Sequence, residues 1–116
     1  LHYRERRQRQ MCIRDRLTET QRKKLIDNHN KQDGTKSFKV VVKLFDPQGS
    51  GTWFLTELNP DTNVAFGLCH ITEAEIGYVD LDELQSYKGV FGLGIERDKF
   101  WPTGKTIAEC REAMGW

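Results

Sequence analysis

The stretch that decides the fold is Ser37–Phe45, which reads SFKVVVKLF. β-branched and aromatic residues are typical of strands, and five of its nine residues belong to those two classes. We predict one strand over residues 37–45. Because successive side chains in a strand point to opposite faces, we expect one face to carry Phe38, Val40, Val42 and Leu44.

Further strands are predicted after this one. Thr52–Leu58 and Val64–Cys69 are rich in the same residue types, and Ile76–Val79 predicts a shorter strand. Residues 95–101 predict one more extended segment. The connections between the first strands are short, which favours antiparallel pairing, since a parallel crossover needs a dozen or more residues.

Helices are predicted before, between and after the strands. The first begins at Leu17, where Thr18 and Gln21 have the spacing of a capping box. A short helix begins after Asp80, and a last one covers Lys105–Met114. The sequence therefore predicts an α+β fold, a small antiparallel sheet of three to five strands with an N-terminal helix, a short middle helix and a C-terminal helix.

The predicted core combines apolar residues of the strands with a few from the helices. The last helix is expected to cover this core through Ile107. The residues that we expect to be mostly buried are Val40, Val42, Phe54, Phe66, Leu68 and Leu84.

Residues 1–16 differ in charge from the rest of the chain. They hold six arginines against two acids, a formal charge of +4, whereas residues 17–116 hold twelve basic and fifteen acidic residues, which gives −3. Ten consecutive codons for Arg6–Asp15 also reproduce, in one frame, an oligonucleotide used in transposase-based preparation of sequencing libraries. We therefore interpret 1–16 as a disordered, adapter-derived artefact and 17–116 as a single domain, whose native start lay before Leu17.

Several short blocks together resemble a known family. They are Val41–Phe45, Thr52–Trp53 with Thr56–Glu57, Phe66–Leu68, Glu75–Tyr78 and Gly92–Asp98. Over residues 17–106 the chain resembles the bacterial domain-of-unknown-function family 2958. The resemblance implies a small protein found largely on plasmids, phages and other mobile elements. It implies no mechanism, because no activity is established for that family.

Composition excludes several classes of function. Charged residues make up 30% of the chain, and no apolar run approaches the roughly 18 residues that span a bilayer. The three cysteines lack metal-binding spacing, and neighbours such as Cys69 and His70 on one strand point to opposite faces. We therefore expect a cytoplasmic domain that binds no membrane, no metal and no cofactor, and we predict no catalytic residue.

The polar segment Glu96–Asp98 is the main candidate for binding. It follows a glycine-rich loop and precedes the aromatic pair Phe100–Trp101, and an arginine can bind an anion or a carboxylate through two parallel hydrogen bonds. The alternative is an internal ion pair that holds the loop to the sheet. The complete set of candidate binding residues is Glu96, Arg97, Asp98, Trp53, Glu57 and Trp101.

Three functions stay open at the level of sequence. The first is a non-enzymatic protein-interaction module of a mobile element, which binds a protein partner. The second is a nucleic-acid-binding accessory protein, which we do not favour, because its only basic residues outside the artefact that could form a face are Arg22–Lys24, Lys36, Lys39 and Lys43. The third is an enzyme that combines Arg97 with the acidic residues Glu73, Glu75, Asp80, Asp82 and Glu83.

Overall fold

The computed structural model describes residues 17–47, 49–86, 94–99, 101 and 104–116. In chain order the elements are helix α1 (Glu19–Lys31), strands β1 (Val42–Phe45), β2 (Thr52–Asn59), β3 (Val64–His70) and β4 (Ala74–Asp80), helix α2 (Leu81–Ser86), strand β5 (Glu96–Arg97) and helix α3 (Ile107–Met114). The glycine-rich loop is predicted over residues 88–94, of which all but Gly94 lie outside the described residues. The short middle helix is predicted to end at residue 87, which also lies outside them.

The strands form one antiparallel sheet in the order β4-β3-β2-β1-β5. Strands β1 to β4 follow one another as a meander, as the short connections predict. The predicted α+β class, with its N-terminal, short middle and C-terminal helices, is confirmed. The two edges differ in length, because β4 has seven residues and β5 only two.

The sheet is covered on two faces. On the α1 face, Val42, Leu44, Trp53 and Leu55 pack in a buried cluster with side chains of α1 and α2. On the α3 face, a smaller cluster joins Val40, Phe54 and Leu68 to Cys110 of α3, with Ile107, Trp101 and Trp116 packed against it. Helix α3 thus covers part of its face, as the position of Ile107 predicts.

Helix α1 begins at Glu19 rather than at Leu17, and the predicted capping box at its start is confirmed. Thr18 Oγ1 accepts a hydrogen bond from Gln21 N at 3.0 Å, and Gln21 Oε1 accepts one from Thr18 N at 3.1 Å. This capping box satisfies two backbone donors that have no partner within the helix. Leu25 and Asn28 are the buried residues of α1, so the helix packs on the sheet through a narrow stripe.

The strand predicted over residues 37–45 is shorter than expected. Only Val42–Phe45 pair as β1, and Val40 leaves the ladder because its N–H donates to Lys105 O at 2.7 Å. Val40 lies in the α3 cluster, whereas Val42 lies in the α1 cluster. The expected common face for Val40 and Val42 is therefore wrong, because the chain crosses from one side of the sheet to the other at this point.

Two other boundaries and one core assignment also differ. The extended segment predicted over 95–101 forms strand only at Glu96–Arg97, and α3 begins at Ile107 rather than Lys105, because Thr106 is its N-cap. Phe66 is half-buried rather than a core residue, since it lies beyond the part of the sheet that α3 covers. The other residues predicted for the core are buried.

A β-bulge interrupts the pairing of β2 with β3. Leu55 pairs with Gly67 and Glu57 with Phe66, so Thr56 has no partner in the register between these strands. The carbonyl oxygen of Thr56 accepts a buried hydrogen bond from Asn28 Nδ2 at 2.9 Å. Helix α1 thus satisfies a backbone group that the bulge removes from the ladder.

We predict that Asn28→Ala lowers the free energy of unfolding by about 1–3 kcal/mol more than Asn30→Ala, which alters the same helix at an exposed position. The difference arises because Asn28→Ala leaves the carbonyl of Thr56 buried without a donor. Urea denaturation followed by circular dichroism measures both variants. Equal losses would show that water or another donor replaces the asparagine.

Gly67 and Gly77 are directly paired across β3 and β4 but differ in the space around them. A Cβ at Gly67 would lie 1.9 Å from the carbonyl oxygen of Phe54, whereas one at Gly77 meets nothing within 4 Å. We predict that Gly67→Ala lowers the free energy of unfolding by about 1–3 kcal/mol. Gly77→Ala should leave this free energy unchanged. Thermal denaturation of the two variants tests this. Similar melting temperatures would contradict the close approach of β2 to β3.

Candidate functional site

The segment Glu96–Asp98 lies at the short edge of the sheet, and its residues have different surroundings. Glu96 is exposed. Arg97 Nη1 donates to Gln21 Oε1 of α1 at 3.3 Å. Asp98 Oδ2 lies 3.4 Å from Lys43 Nζ, and the N–H of Asp98 donates to Lys43 O at 2.9 Å. Arg97 and Asp98 thus hold β5 to α1 and β1.

The other predicted binding residues do not join this segment in one site. Trp53 is buried within the α1 cluster. Trp101 lies on the α3 face, with its ring centroid 5.1 Å from that of Phe54. Glu57 is on the same face as Trp101 but near the other end of β2, beyond the bulge. The structure therefore divides the predicted set between two faces and two ends of the sheet.

Part of the α3 face is not covered by any of the described residues, and this part is here called its open half. Glu57, Phe66 and Tyr78 lie side by side in a row across β2, β3 and β4, because Glu57 pairs with Phe66 and Phe66 with Tyr78. The adjacent row carries Ile76, which pairs with the buried Leu68. Tyr78 is 78% exposed and Ile76 is 52% exposed. Apolar side chains therefore reach solvent where α3 no longer covers the sheet.

A groove runs from the end of α1 to this open row. Its volume is about 410 Å³, and its walls are formed by His29, Gln32, Glu57, Leu58, Asn59, Thr62, Val64, Phe66 and Tyr78. The rings of Phe66 and Tyr78 meet edge to face, with centroids 5.1 Å apart. The groove thus combines an aromatic wall with several polar side chains.

Glu57 is the most buried charged group of this groove. The residue is only 8% exposed, and its Oε2 accepts a hydrogen bond from Gln32 Nε2 at 3.0 Å. Gln32 is itself held by the carbonyl oxygen of Lys36, to which Nε2 also donates at 2.9 Å. Among the described residues no other group donates to the Glu57 carboxylate, and no lysine or arginine nitrogen lies within 4.0 Å of it.

A second cavity lies on the other side of Glu57 and Phe66, which line both spaces. Its volume is about 370 Å³, and Ile76, Lys36 and Arg111 are among the residues around it. Basic side chains therefore stand at the α3 end of the open face, and His29 is the basic side chain that lines the groove at the α1 end. Glu57 and Phe66 line both spaces, but Lys36 and Arg111 line the second one and His29 the first.

The pairing of β4 with β3 determines which backbone groups of β4 face away from the sheet. Leu81 N donates to Asn63 O at 3.1 Å, which continues the register that pairs Val64 with Asp80. In an antiparallel ladder the hydrogen-bonded pairs alternate, so residues 75, 77 and 79 bond to β3. The backbone N–H and C=O groups of Ile76 and Tyr78 therefore point outward, away from the sheet.

Sequence reasoning identified Glu57 but not its neighbours Gln32, Tyr78 and Ile76. The alternation of Ile76 and Tyr78 in the last strand of a meander was the signal that could have found them. Strand β4 follows three strands that pair in sequence, so it was the natural candidate for an open edge. The contribution of Gln32 comes from the end of α1, which no pattern in the strands indicates.

Neither a metal centre nor a nucleophile is apparent where the structure is described. No group of three or more histidine, cysteine or acidic residues could hold a metal ion within these ranges. Cys69 packs against the α1 cluster, whereas the ring of His70 stacks on Trp116 at 4.1 Å on the α3 face. Burial, with a smaller effect of the Glu75 charge, raises the pKa of the Cys69 thiol to about 11. None of the helices in the described ranges has the length and apolar character of a membrane span.

We predict that the Cys69 thiol reacts with iodoacetamide at pH 8 about 100-fold more slowly in the folded chain than in urea. The reason is its pKa of about 11, against 9.0 for an ordinary thiol, because only the thiolate is nucleophilic. Mass spectrometry of tryptic peptides separates Cys69 from the other cysteines. Equal rates in the folded and unfolded chain would show that Cys69 is an accessible, reactive group.

Comparison with known proteins places the chain in a family without assigning an activity. No curated protein and no solved structure matches it. Residues 16–114 match the family described as "Protein of unknown function (DUF2958)", which covers nearly all of the described fold. The family resemblance in the sequence is thereby confirmed, and the chain belongs to the DUF2958 family.

Proposed function

We propose that this chain is a non-enzymatic protein-interaction module, carried by bacterial mobile elements and working in the cytoplasm. Its binding surface is the outer edge of β4 together with the open half of the α3 face. The observation that carries the proposal is the exposure of Ile76 and Tyr78, whose side chains and backbone groups are both available at that edge.

The length of β4 supports the binding of an extended partner segment. Among the described residues no strand pairs with the outer edge of β4, so this seven-residue strand offers a row of N–H and C=O groups with which another strand can pair. Natural sheets protect such edges with lysine, proline or a short strand, and β4 has none of these. The opposite edge is protected, because β5 has only two residues.

The charge around β4 indicates the character of the partner. Residues 73–83 contain five acids and no basic residue, a formal charge of −5. Opposite charge steers partners together and like charge rejects them, so this edge favours a basic segment. The same charge disfavours the phosphate backbone of a nucleic acid at this surface.

The two alternative functions have less support. Of the lysines that a nucleic acid would need, Lys43 is paired with Asp98 and Lys36 with Asp33, whereas Lys39 is exposed. The enzyme hypothesis needs Arg97 near the acidic residues. Arg97 lies on β5 and Glu75 on β4, at opposite edges of a five-stranded sheet, which is about 19 Å across at 4.8 Å a strand.

Selection from a displayed library of random dodecapeptides tests the proposed function. We expect the 116-residue chain to enrich peptides with an extended, β-branched stretch and basic residues. In spectra of the ¹⁵N-labelled chain, these peptides should shift the amides of β4 most strongly, since strand pairing changes the hydrogen bonding of its N–H groups.

A double variant and a matched control complete this experiment. Ile76→Ser with Tyr78→Ser should weaken binding of the selected peptides at least tenfold, whereas Met114→Ser, which also removes an exposed apolar side chain, should leave it unchanged. Failure to enrich any peptide, or shifts confined to β1 and β5, would reject the interaction surface. Both variants alter exposed positions, so their folding is expected to be preserved.

A further inference from the structure

We propose that the groove between α1 and Tyr78 is a pocket for a lysine or arginine side chain of the protein partner, with the carboxylate of Glu57 as its anionic base. This inference rests on the proposed function and names the chemistry that the surface recognises. It differs from strand pairing at β4, because the pocket lies on the α3 face, two strands further into the sheet.

Glu57 has the properties of a carboxylate that is set to receive a cation. It is 8% exposed, and within the described ranges its carboxylate accepts one hydrogen bond, from Gln32, at one of its two oxygens. An ionised carboxylate has about four lone-pair sites, so a guanidinium or ammonium donor finds free acceptors there. Hydrogen bonds between ionised groups are the strong ones, particularly where the surroundings exclude water.

The groove walls suit the stem and the charge of such a side chain. Val64 offers apolar contacts to methylene groups, as the long stems of lysine and arginine require. The ring of Phe66 stands beside Glu57, and the ring of Tyr78 packs against that of Phe66 one strand further out, so both rings can attract a cation through their faces. Asn59 and Thr62 add neutral acceptors at the outer end. A carboxylate, an aromatic wall and apolar sides are therefore present together.

The nearby basic groups leave this pocket to an outside cation. Lys36 and Arg111 line the second cavity, and neither has a nitrogen within 4.0 Å of the Glu57 carboxylate. Lys36 is instead paired with Asp33 at 3.5 Å. His29 lines the groove at the end of α1, where the partial negative charge of the helix C-terminus also favours a cation. The acidic residues 73–83 add to the same field.

The pocket and the edge of β4 would contact different residues of one partner. A strand added to β4 lies three strand spacings from β2, which is about 14 Å. A lysine or arginine directly opposite Tyr78 is too short for that distance. The cation therefore comes from the part of the partner that leaves the strand and crosses the open α3 face.

Small probes test the pocket separately from strand pairing. The blocked amino acids N-acetyl-arginine methylamide and N-acetyl-lysine methylamide are titrated into the ¹⁵N-labelled 116-residue chain, with the norleucine and glutamate analogues as comparisons. We expect the two cationic probes to shift the amides of residues 32, 57, 66 and 78, and to bind about tenfold more tightly than norleucine. The glutamate analogue should not bind.

Two variants decide whether Glu57 is responsible. Glu57→Gln keeps the acceptor for Gln32 and should remove the preference for cations, whereas Glu75→Gln, the same charge change at an exposed position of β4, should retain it. Tyr78→Ser should weaken the cationic probes about threefold through loss of the ring. Because residues 1–16 are present in every sample, their arginines cannot cause a difference between variants.

The results separate this inference from the proposed function. Equal binding of norleucine and lysine probes, no binding of any probe, or equal losses in Glu57→Gln and Glu75→Gln would overturn the cation pocket. Peptides selected on β4 that bind regardless of Glu57→Gln would leave the interaction module standing without the pocket. Loss of peptide binding in Ile76→Ser but not in Glu57→Gln would lead to the same conclusion, since Ile76 does not line the groove.

Discussion

The buried hydrogen bond from Asn28 to the carbonyl of Thr56 is the contact on which the open face depends. It stabilises the bulge in β2, which inserts one residue and so changes the side to which the following side chains point. In a regular strand, Glu57 would share the α1 face with Leu55. With the bulge it lies beside Phe66 on the α3 face. A single amide of α1 thus helps to set the floor of a groove on the opposite side of the sheet.

The two faces of the sheet are covered to different extents. On the α1 face, α1 and α2 bury a continuous cluster that includes Leu25, Leu81 and Leu84. On the α3 face, a helix of eight residues reaches Phe54 and Leu68 and then ends. A domain of this size has few apolar residues with which to cover both faces of its sheet, and Ile76 and Tyr78 stay exposed at one edge.

Much of the fold could be predicted from the sequence because its signals are local. The capping box at Thr18, the β-branched and aromatic residues of β2 and β3 and the short turns all act within a few residues, and each was found. The predictions that were wrong concern features set by contacts between residues far apart in the sequence. Val40 leaves β1 to bond with Lys105, and Phe66 is half-buried because α3 is short. Glu57 was named from a family resemblance, but its neighbours Gln32 and Tyr78 depend on the bulge and the end of α1.

The outward direction of the Ile76 and Tyr78 backbone groups has an evolutionary consequence. Ile76 and Tyr78 present backbone groups to the edge and side chains to the α3 face, so the same two positions serve two kinds of recognition. Main-chain hydrogen bonds do not depend on the partner's residue types, whereas the side-chain contacts do. A partner segment could therefore change its sequence at every second position and keep the backbone pairing. Such a surface would tolerate divergence on both sides of the proposed interface.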